Sequence, residues 1–127
     1  MFLVFDASQK DIIHIILFDK EKRVDYSQPG KNRELLQEVA TFLEKELCKK
    51  EEILGIAVVL GAGSFTSTRI AVTVANSWAF VQSIPVLGIA KEEMHNNDSL
   101  ISSFKQQPVG KYITAEYSAE PNIGKKT

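Results

Sequence analysis

The stretch "VLGAGSFTSTRI", Val59–Ile70, joins a strand-like segment to a helix-like segment in this 127-residue chain. Before it, "ILGIAVVL", Ile53–Leu60, is an unbroken apolar run with the length of a buried strand. After it, Thr66–Gln82 repeats apolar residues at helical spacing, up to Pro85, which cannot continue a helix. The stretch therefore predicts a central strand, a tight glycine turn and a long helix.

The other elements follow from the same two periodicities. Strands are predicted at Phe2–Phe5, Ile12–Phe18, Arg23–Ser27, Val86–Ile89 and, near the end, Tyr112–Thr114, and helices at Arg33–Lys50, with Asn32 as its cap, and within Lys91–Phe104. Three strands, helix, strand, helix, strand is the order of the ribonuclease H-like unit, which lobes of actin, Hsp70 and sugar kinases share. We predict one α/β lobe of this type at residues 1–106, with a mixed five-stranded sheet and flanking helices. Residues 107–127 are predicted as a short strand and an extended tail in place of a second lobe.

Charge and composition exclude several classes of function. The formal net charge is −1, from 15 basic and 16 acidic residues, so no global field attracts nucleic acid or an anionic membrane. One cysteine, Cys48, allows neither an intramolecular disulfide nor a thiolate cluster. The start "MFLVFDAS" lacks the pattern of a signal peptide, and no apolar run approaches the ~20 residues of a membrane span. We expect a cytoplasmic protein that does not enter a membrane.

The glycine turn allows two interpretations. Gly61 and Gly63 permit close backbone approaches, and Ser64 or Thr66 can cap a helix whose first N–H groups suit an anion. However, the turn lacks the lysine of a phosphate-binding P-loop and the third glycine of a dinucleotide site. A tight turn with a capped helix is therefore favoured. A phosphate site at Asp6 and Ser8, after the first strand, is the weaker alternative, and a turn-stabilising role for Asp6 is preferred.

The second helix carries more apolar surface than one core needs. Its apolar arc is about twice as wide as that of an ordinary surface helix. A line of alanines would let another helix approach closely, and tryptophan is a common interface anchor. We favour a partner-binding surface over burial against the first helix, with interface residues Leu36, Leu43, Leu47, Ala71, Val74, Ala75, Trp78 and Ala79. A large charged residue at Ala75 is expected to abolish pairing and to leave the fold intact.

No catalytic constellation is recognisable in the sequence. His14 and His95 are the only histidines, and neither has metal-ligand spacing or the setting of a catalytic triad. Arg69, one turn into the second helix, is left open: it binds an anion, pairs with Asp6 or a partner's carboxylate, or is solvated. We predict no catalytic residue, no metal and no cofactor.

The motif "GAGSFTSTRI", preceded by "LGIAVV" and followed by an alanine-rich helix and "IPVLGI", resembles the TsaB (YeaZ) family. "FDAS" corresponds to the end of that family's first strand, and "YSAEPNIGKK" resembles the C-terminal ending of some members. Ser67, Thr68 and Ala71 stand where the family carries glycines around the arginine, and most of the second lobe is absent. The family motif falls on Gly61, Gly63, Ser64, Phe65, Thr66 and Arg69.

This resemblance implies an actin-like fold and a non-catalytic scaffold subunit. Such a subunit pairs through its first two helices with a TsaD-like catalytic subunit, or with a second copy of itself. A TsaE-like ATPase is a further partner, and tRNA is met only through the complex, which makes threonylcarbamoyladenosine at position 37. Two alternatives remain: an actin-like ATPase or kinase lobe that binds nucleotide phosphates, and a homodimeric interaction module.

Overall fold

A five-stranded mixed sheet forms the centre of the molecule, and the computed structural model describes residues 1–115. The strands are β1 (Phe2–Asp6), β2 (Ile12–Phe18), β3 (Arg23–Pro29), β4 (Gly55–Val59) and β5 (Val86–Ile89), in the spatial order β3-β2-β1-β4-β5. β1, β2 and β3 pair antiparallel, whereas β1, β4 and β5 run parallel. This is the predicted fold class, a mixed α/β sheet of the actin-like, ribonuclease H-like type.

Helices cover both faces of the sheet. α1 (Leu35–Lys45) and α2 (Phe65–Gln82) pack on one face, where the side chains of Leu3, Phe5 and Val58 point. α3 (Asn97–Gln106) packs on the other face, against Val4 and Val59. Because β1 and β4 are buried on both sides, their sequences are continuous apolar runs rather than alternating ones.

The first helix is shorter than predicted. A 3-10 turn at Asn32–Glu34 precedes α1, and Asn32 does not cap it: its side-chain amide donates to Ser67 Oγ at 2.7 Å. The Glu34 carboxylate instead accepts from the backbone N–H of Lys31 at 2.8 Å. α1 ends at Lys45, and Leu47 has a left-handed φ of 56°. An N–H bond from Cys48 to the carbonyl of Leu43, 2.9 Å long, closes this end.

The predicted helix within Lys91–Phe104 is present in two pieces. A 3-10 turn spans Lys91–His95, and α3 follows from Asn97 to Gln106. The Asn96 side chain accepts from Ser99 N–H at 3.0 Å and so caps α3.

The strand predicted at Tyr112–Thr114 is not formed. The chain at 111–115 has no strand partner within the described part, and the backbone of Ile113 bonds instead to the side-chain amide of Asn76 on α2. A side chain that offers both a donor and an acceptor satisfies the same two backbone groups that a neighbouring strand would take. The predicted tail, with "YSAEPNIGKK", lies outside the described residues.

Candidate functional site

The glycine turn has the geometry that its sequence predicts. Gly61 and Gly63 have φ values of 79° and 89°, which favour glycine. Ser64 is the cap of α2, and its Oγ accepts from the N–H of Ser67 at 3.1 Å. Strand β4 is thus turned directly into a capped helix.

Gly63 is required by a contact within the chain. A Cβ at this position would lie 2.5 Å from the carbonyl oxygen of Ala7 and 2.8 Å from the Cα of Ser8. The glycine turn therefore packs backbone against backbone on the turn that follows β1. This contact accounts for the glycine without any bound anion.

Asp6 is a buried carboxylate at the carboxyl end of β1. Its Oδ1 accepts from the N–H of Ser8 at 3.0 Å, so it stabilises the turn as predicted. Its Oδ2 lies 3.2 Å from His14 Nδ1 and 3.5 Å from Lys91 Nζ. Burial alone would raise the pKa of Asp6, but the hydrogen bonds from His14 and Ser8 and the charge of Lys91 outweigh it and hold this pKa well below its usual range.

His14 links Asp6 to Asp25 on the edge strand β3. Its Nε2 lies 3.0 Å from Asp25 Oδ2, and Asp25 also accepts from Arg23 Nε at 3.0 Å. The hydrogen bond to Asp6 raises the pKa of His14 against the opposing effect of burial, and the bond to Asp25 raises it further. The Arg23 guanidinium also donates to the Met94 carbonyl oxygen at 2.7 Å and so ties β3 to the 3-10 turn before α3.

This polar cluster is not arranged as a metal site. The two carboxylates lie at opposite nitrogens of the His14 ring, so the three groups cannot converge on one ion. Among residues 1–115, no group of three His, Cys, Asp or Glu side chains is placed to hold a metal. Both predicted phosphate-site residues, Asp6 and Ser8, bond to Lys91. Whether they bind phosphate stays a prediction.

Lys91 is a member of this cluster that the sequence analysis missed. It lies two residues after β5, and the carboxyl ends of parallel strands lie at one edge of a sheet. Its position after β5 was the available signal, but the sequence did not show which turn it would meet.

The second candidate site is the solvent-facing side of α2, which we call the α2 strip. It consists of exposed or half-buried side chains from α2, one residue of α1 and one residue near the end of the described chain. Three shallow depressions follow it, with volumes of about 370, 420 and 420 Å³. The members of the strip are Leu36, Thr73, Val74, Ser77, Phe80, Val81 and Tyr112.

Five of the eight predicted interface residues are in the core instead. Leu43 of α1 and the alanine line of α2 are buried, because these faces of the two helices pack on the sheet and on each other. The residues that this corrects are Leu43, Ala71, Ala75, Trp78 and Ala79. Substitution of Ala75 by a charged residue would therefore disturb the fold, contrary to the expectation from the sequence.

The three other predicted interface residues lie at the surface. Leu36 is exposed and Val74 half-buried, and both lie in the α2 strip. Trp78 is buried except for an edge that lines the middle depression, and its Nε1 has no hydrogen-bond partner among the described residues. Leu47 is 90% exposed but lies beyond the end of α1 and lines none of the three depressions.

The sequence analysis did not assign Phe80, Val81 and Tyr112 to the interface. Phe80 and Val81 are 71% and 78% exposed, and Tyr112 lies beside them. Val81 belongs to the broad apolar arc that the sequence predicts for this helix, and Phe80 is a large apolar residue directly before it. Arg69 is exposed and lines the depression nearest the start of α2, and its role stays a prediction.

The sheet order, the two helix layers and the turns at the carboxyl ends of β1 and β4 define an actin-like, ribonuclease H-like lobe. Residues 30–118 match the family model "TsaD: tRNA N6-adenosine threonylcarbamoyltransferase". The chain belongs to this family.

Solved structures agree with this assignment. YeaZ from Pseudomonas aeruginosa is 25% identical, with a TM-score of 0.63, over 70% of this chain and 43% of that one. A second structure, an uncharacterised protein with similarity to peptidase YeaZ from Pseudomonas aeruginosa, has the same identity and TM-score over 42% of its length. The resemblance to TsaB (YeaZ) is thus confirmed, although this chain spans less than half of either protein. No curated protein matches the chain.

No helix within residues 1–115 is suited to cross a membrane. The longest of them, α2, has 18 residues, and none combines the length and the apolarity needed for a span.

Proposed function

We propose that this chain is a TsaB-like, non-catalytic subunit for the synthesis of threonylcarbamoyladenosine at position 37 of tRNA. In this role it binds and activates a TsaD-like catalytic subunit. A TsaE-like ATPase is a further partner, and tRNA is bound only through the complex. The observation that carries the proposal is the α2 strip: a lobe of this family exposes large apolar side chains on one helix instead of burying them.

The shape of the α2 strip suits a helix of the partner. Thr73 and Ser77 lie one turn apart and are small, so a second helix can approach their backbone closely. Leu36 and Val81 flank this low point and offer apolar contact on either side. Aliphatic and aromatic residues around a close helix approach are typical of subunit interfaces.

The charges beside the α2 strip favour a partner with acidic residues. Lys50 lines the middle depression, and no acidic residue of the described chain lines any of the three. This arrangement would repel a basic surface and attract carboxylates at the border of the interface.

The polar cluster supports a non-catalytic role. Asp6 bonds to both His14 and Lys91, so its carboxylate is engaged within the fold. General acid-base catalysis needs a group within reach of a substrate proton. Catalysis is therefore assigned to the partner.

Co-purification with the TsaD-like subunit of the same cell tests the proposal. Wild-type chain should elute with that subunit, and Val81→Lys should weaken the affinity at least about tenfold, because a charge would be buried in the interface. Lysine is chosen because a cation suits the C-terminal end of α2 and leaves the helix intact. Leu54→Lys is the matched control, since Leu54 is also an exposed aliphatic residue but lines none of the depressions.

Two results would contradict the proposal. One is the absence of any complex between wild-type chain and the TsaD-like subunit. The other is equal affinity of the Val81→Lys and wild-type chains. Light scattering of the chain alone separates the homodimeric alternative, in which the same strip pairs with a second copy.

A further inference from the structure

Residues 107–115 run from the end of α3 to the outer side of α2, and we call them the 107–115 segment. At its start, Gln107 Nε2 donates to the carbonyl oxygen of Val86 at 3.3 Å. Further along, Ile113 packs on the core beside Gly88 of β5. The segment therefore spans the edge of the sheet at β5 and reaches α2.

Asn76 holds this segment with two hydrogen bonds. Its Nδ2 donates to the carbonyl oxygen of Ile113 at 2.8 Å, and its Oδ1 accepts from the N–H of Ile113 at 3.1 Å. Both polar groups of one amide side chain thus bond to both backbone groups of one residue, which fixes the direction of the segment as well as its position.

Tyr112 is the residue next to this fixed point. It is 45% exposed and lines one depression of the α2 strip together with Phe80 and Val81. An exposed tyrosine supplies a large contact area and loses little conformational entropy on binding, particularly where its backbone is already held.

We propose that the 107–115 segment is part of the docking surface for the TsaD-like subunit, with Tyr112 as a contact residue and Asn76 as the residue that positions it. This inference rests on the proposed function and adds a second element to an interface otherwise made of helices. The occupant is an apolar helix face of that subunit, because the depression lies beside the close-approach point at Ser77.

A purely structural role for the segment makes a different prediction. If the segment only covers the core, substitution of Ile113 should lower stability, and substitution of the exposed Tyr112 should change neither stability nor binding. The Tyr112→Ala variant separates the two, because removal of a half-exposed ring leaves the core contacts of Ile113 in place.

The experiment measures affinity of full-length variants for the TsaD-like subunit and hydrogen exchange at Ile113 N–H. Tyr112→Ala should bind about tenfold more weakly with unchanged thermal stability. Asn76→Ala should speed exchange at Ile113 and weaken binding. In the Asn76→Ala background, Tyr112→Ala should have less than about a twofold further effect, because the ring is no longer held. Val109→Ala is the control: Val109 is exposed in the same segment but lines no depression of the α2 strip.

The outcomes distinguish the two proposals. If wild-type chain binds the subunit and Tyr112→Ala binds equally well, the inference is wrong and the proposed function stands. If Tyr112→Ala has its full effect in the Asn76→Ala background, Asn76 does not position it. If wild-type chain forms no complex, the proposed function fails and the inference fails with it.

Discussion

His14 is the residue whose charge is most closely linked to the fold. It lies between the carboxylates of Asp6 and Asp25, one at each ring nitrogen. Only the imidazolium form donates from both nitrogens, because neutral imidazole has a single N–H. Protonation of His14 therefore completes a chain of hydrogen bonds across β1, β2 and β3.

This arrangement predicts a pH dependence of stability. The folded-state pKa of His14 is raised above 6.5, so its contribution is fully present below about pH 6.5 and is lost as pH rises through the raised value. His14→Gln should lower the free energy of unfolding by about 1–3 kcal/mol at pH 6 and by less at pH 9. Urea unfolding at both pH values measures this, with His95→Gln as the control. A loss that is equal at pH 6 and pH 9 would count against the charged bridge.

Gly63 shows what a single position can and cannot reveal in the sequence. Its glycine pattern indicates a close approach, which a phosphate or a neighbouring backbone can satisfy equally well. The structure places the Ala7 carbonyl oxygen there. The identity of the approaching group depends on the turn after β1, which is more than fifty residues away in the sequence.

At the scale of elements, α2 differs most from its sequence-based interpretation. Its apolar arc was assigned to a partner through the alanine line, but that line faces inward to β4 and α1. Small residues allow this close packing within the lobe just as they would between subunits. The surface left for a partner is the next face around the helix, with Ser77 and Val81.

The two faces of α2 should respond oppositely to the same substitution. Ala75→Glu buries an unpaired carboxylate in the core and should cost more than about 3 kcal/mol of stability, enough to unfold much of the protein. Ser77→Glu, two residues away on the exposed face, should change stability by less than about 0.5 kcal/mol. Thermal unfolding followed by circular dichroism compares them. Equal stability of the two variants would mean that Ala75 does not face the core.

At the scale of the whole molecule, the parallel strands bring their carboxyl ends to one edge of the sheet. The turns after β1 and β4 and Lys91 after β5 meet there, the usual position of ligands in open α/β sheets. In this molecule the turns pack on each other, and Asp6 bonds to three side-chain or backbone groups of the same chain.

A nucleotide titration tests the remaining alternative at this scale. Because the Asp6 oxygens are already bonded, the isolated chain should give no saturable heat with Mg-ATP up to about 1 mM in calorimetry. Saturable binding that Asp6→Asn removes would instead favour an actin-like ATPase or kinase lobe. His95→Gln serves as the unaffected control.

By itself, the sequence determined which segments become strands and helices and in what order, because period-two and helical patterns are local properties. The glycine turn was equally local, although the sequence left the cap open between Ser64 and Thr66, and the order of the elements indicated the correct fold class. The sequence-based prediction extended α1 beyond its true end, where Leu47 has a left-handed backbone conformation. It also predicted a strand at Tyr112–Thr114, where the backbone of Ile113 bonds to the Asn76 side chain instead.

Tertiary structure alone decided which apolar residues face the core and which face solvent. Ala75 and Val81 belong to the same broad arc on a helical wheel, and only the positions of β4 and α1 separate them. It also brought Lys91 to Asp6 and His14, although Lys91 is 85 residues from Asp6 in the sequence. The physical reason is that burial and ion pairing depend on which elements pack together, a property that local periodicity does not contain.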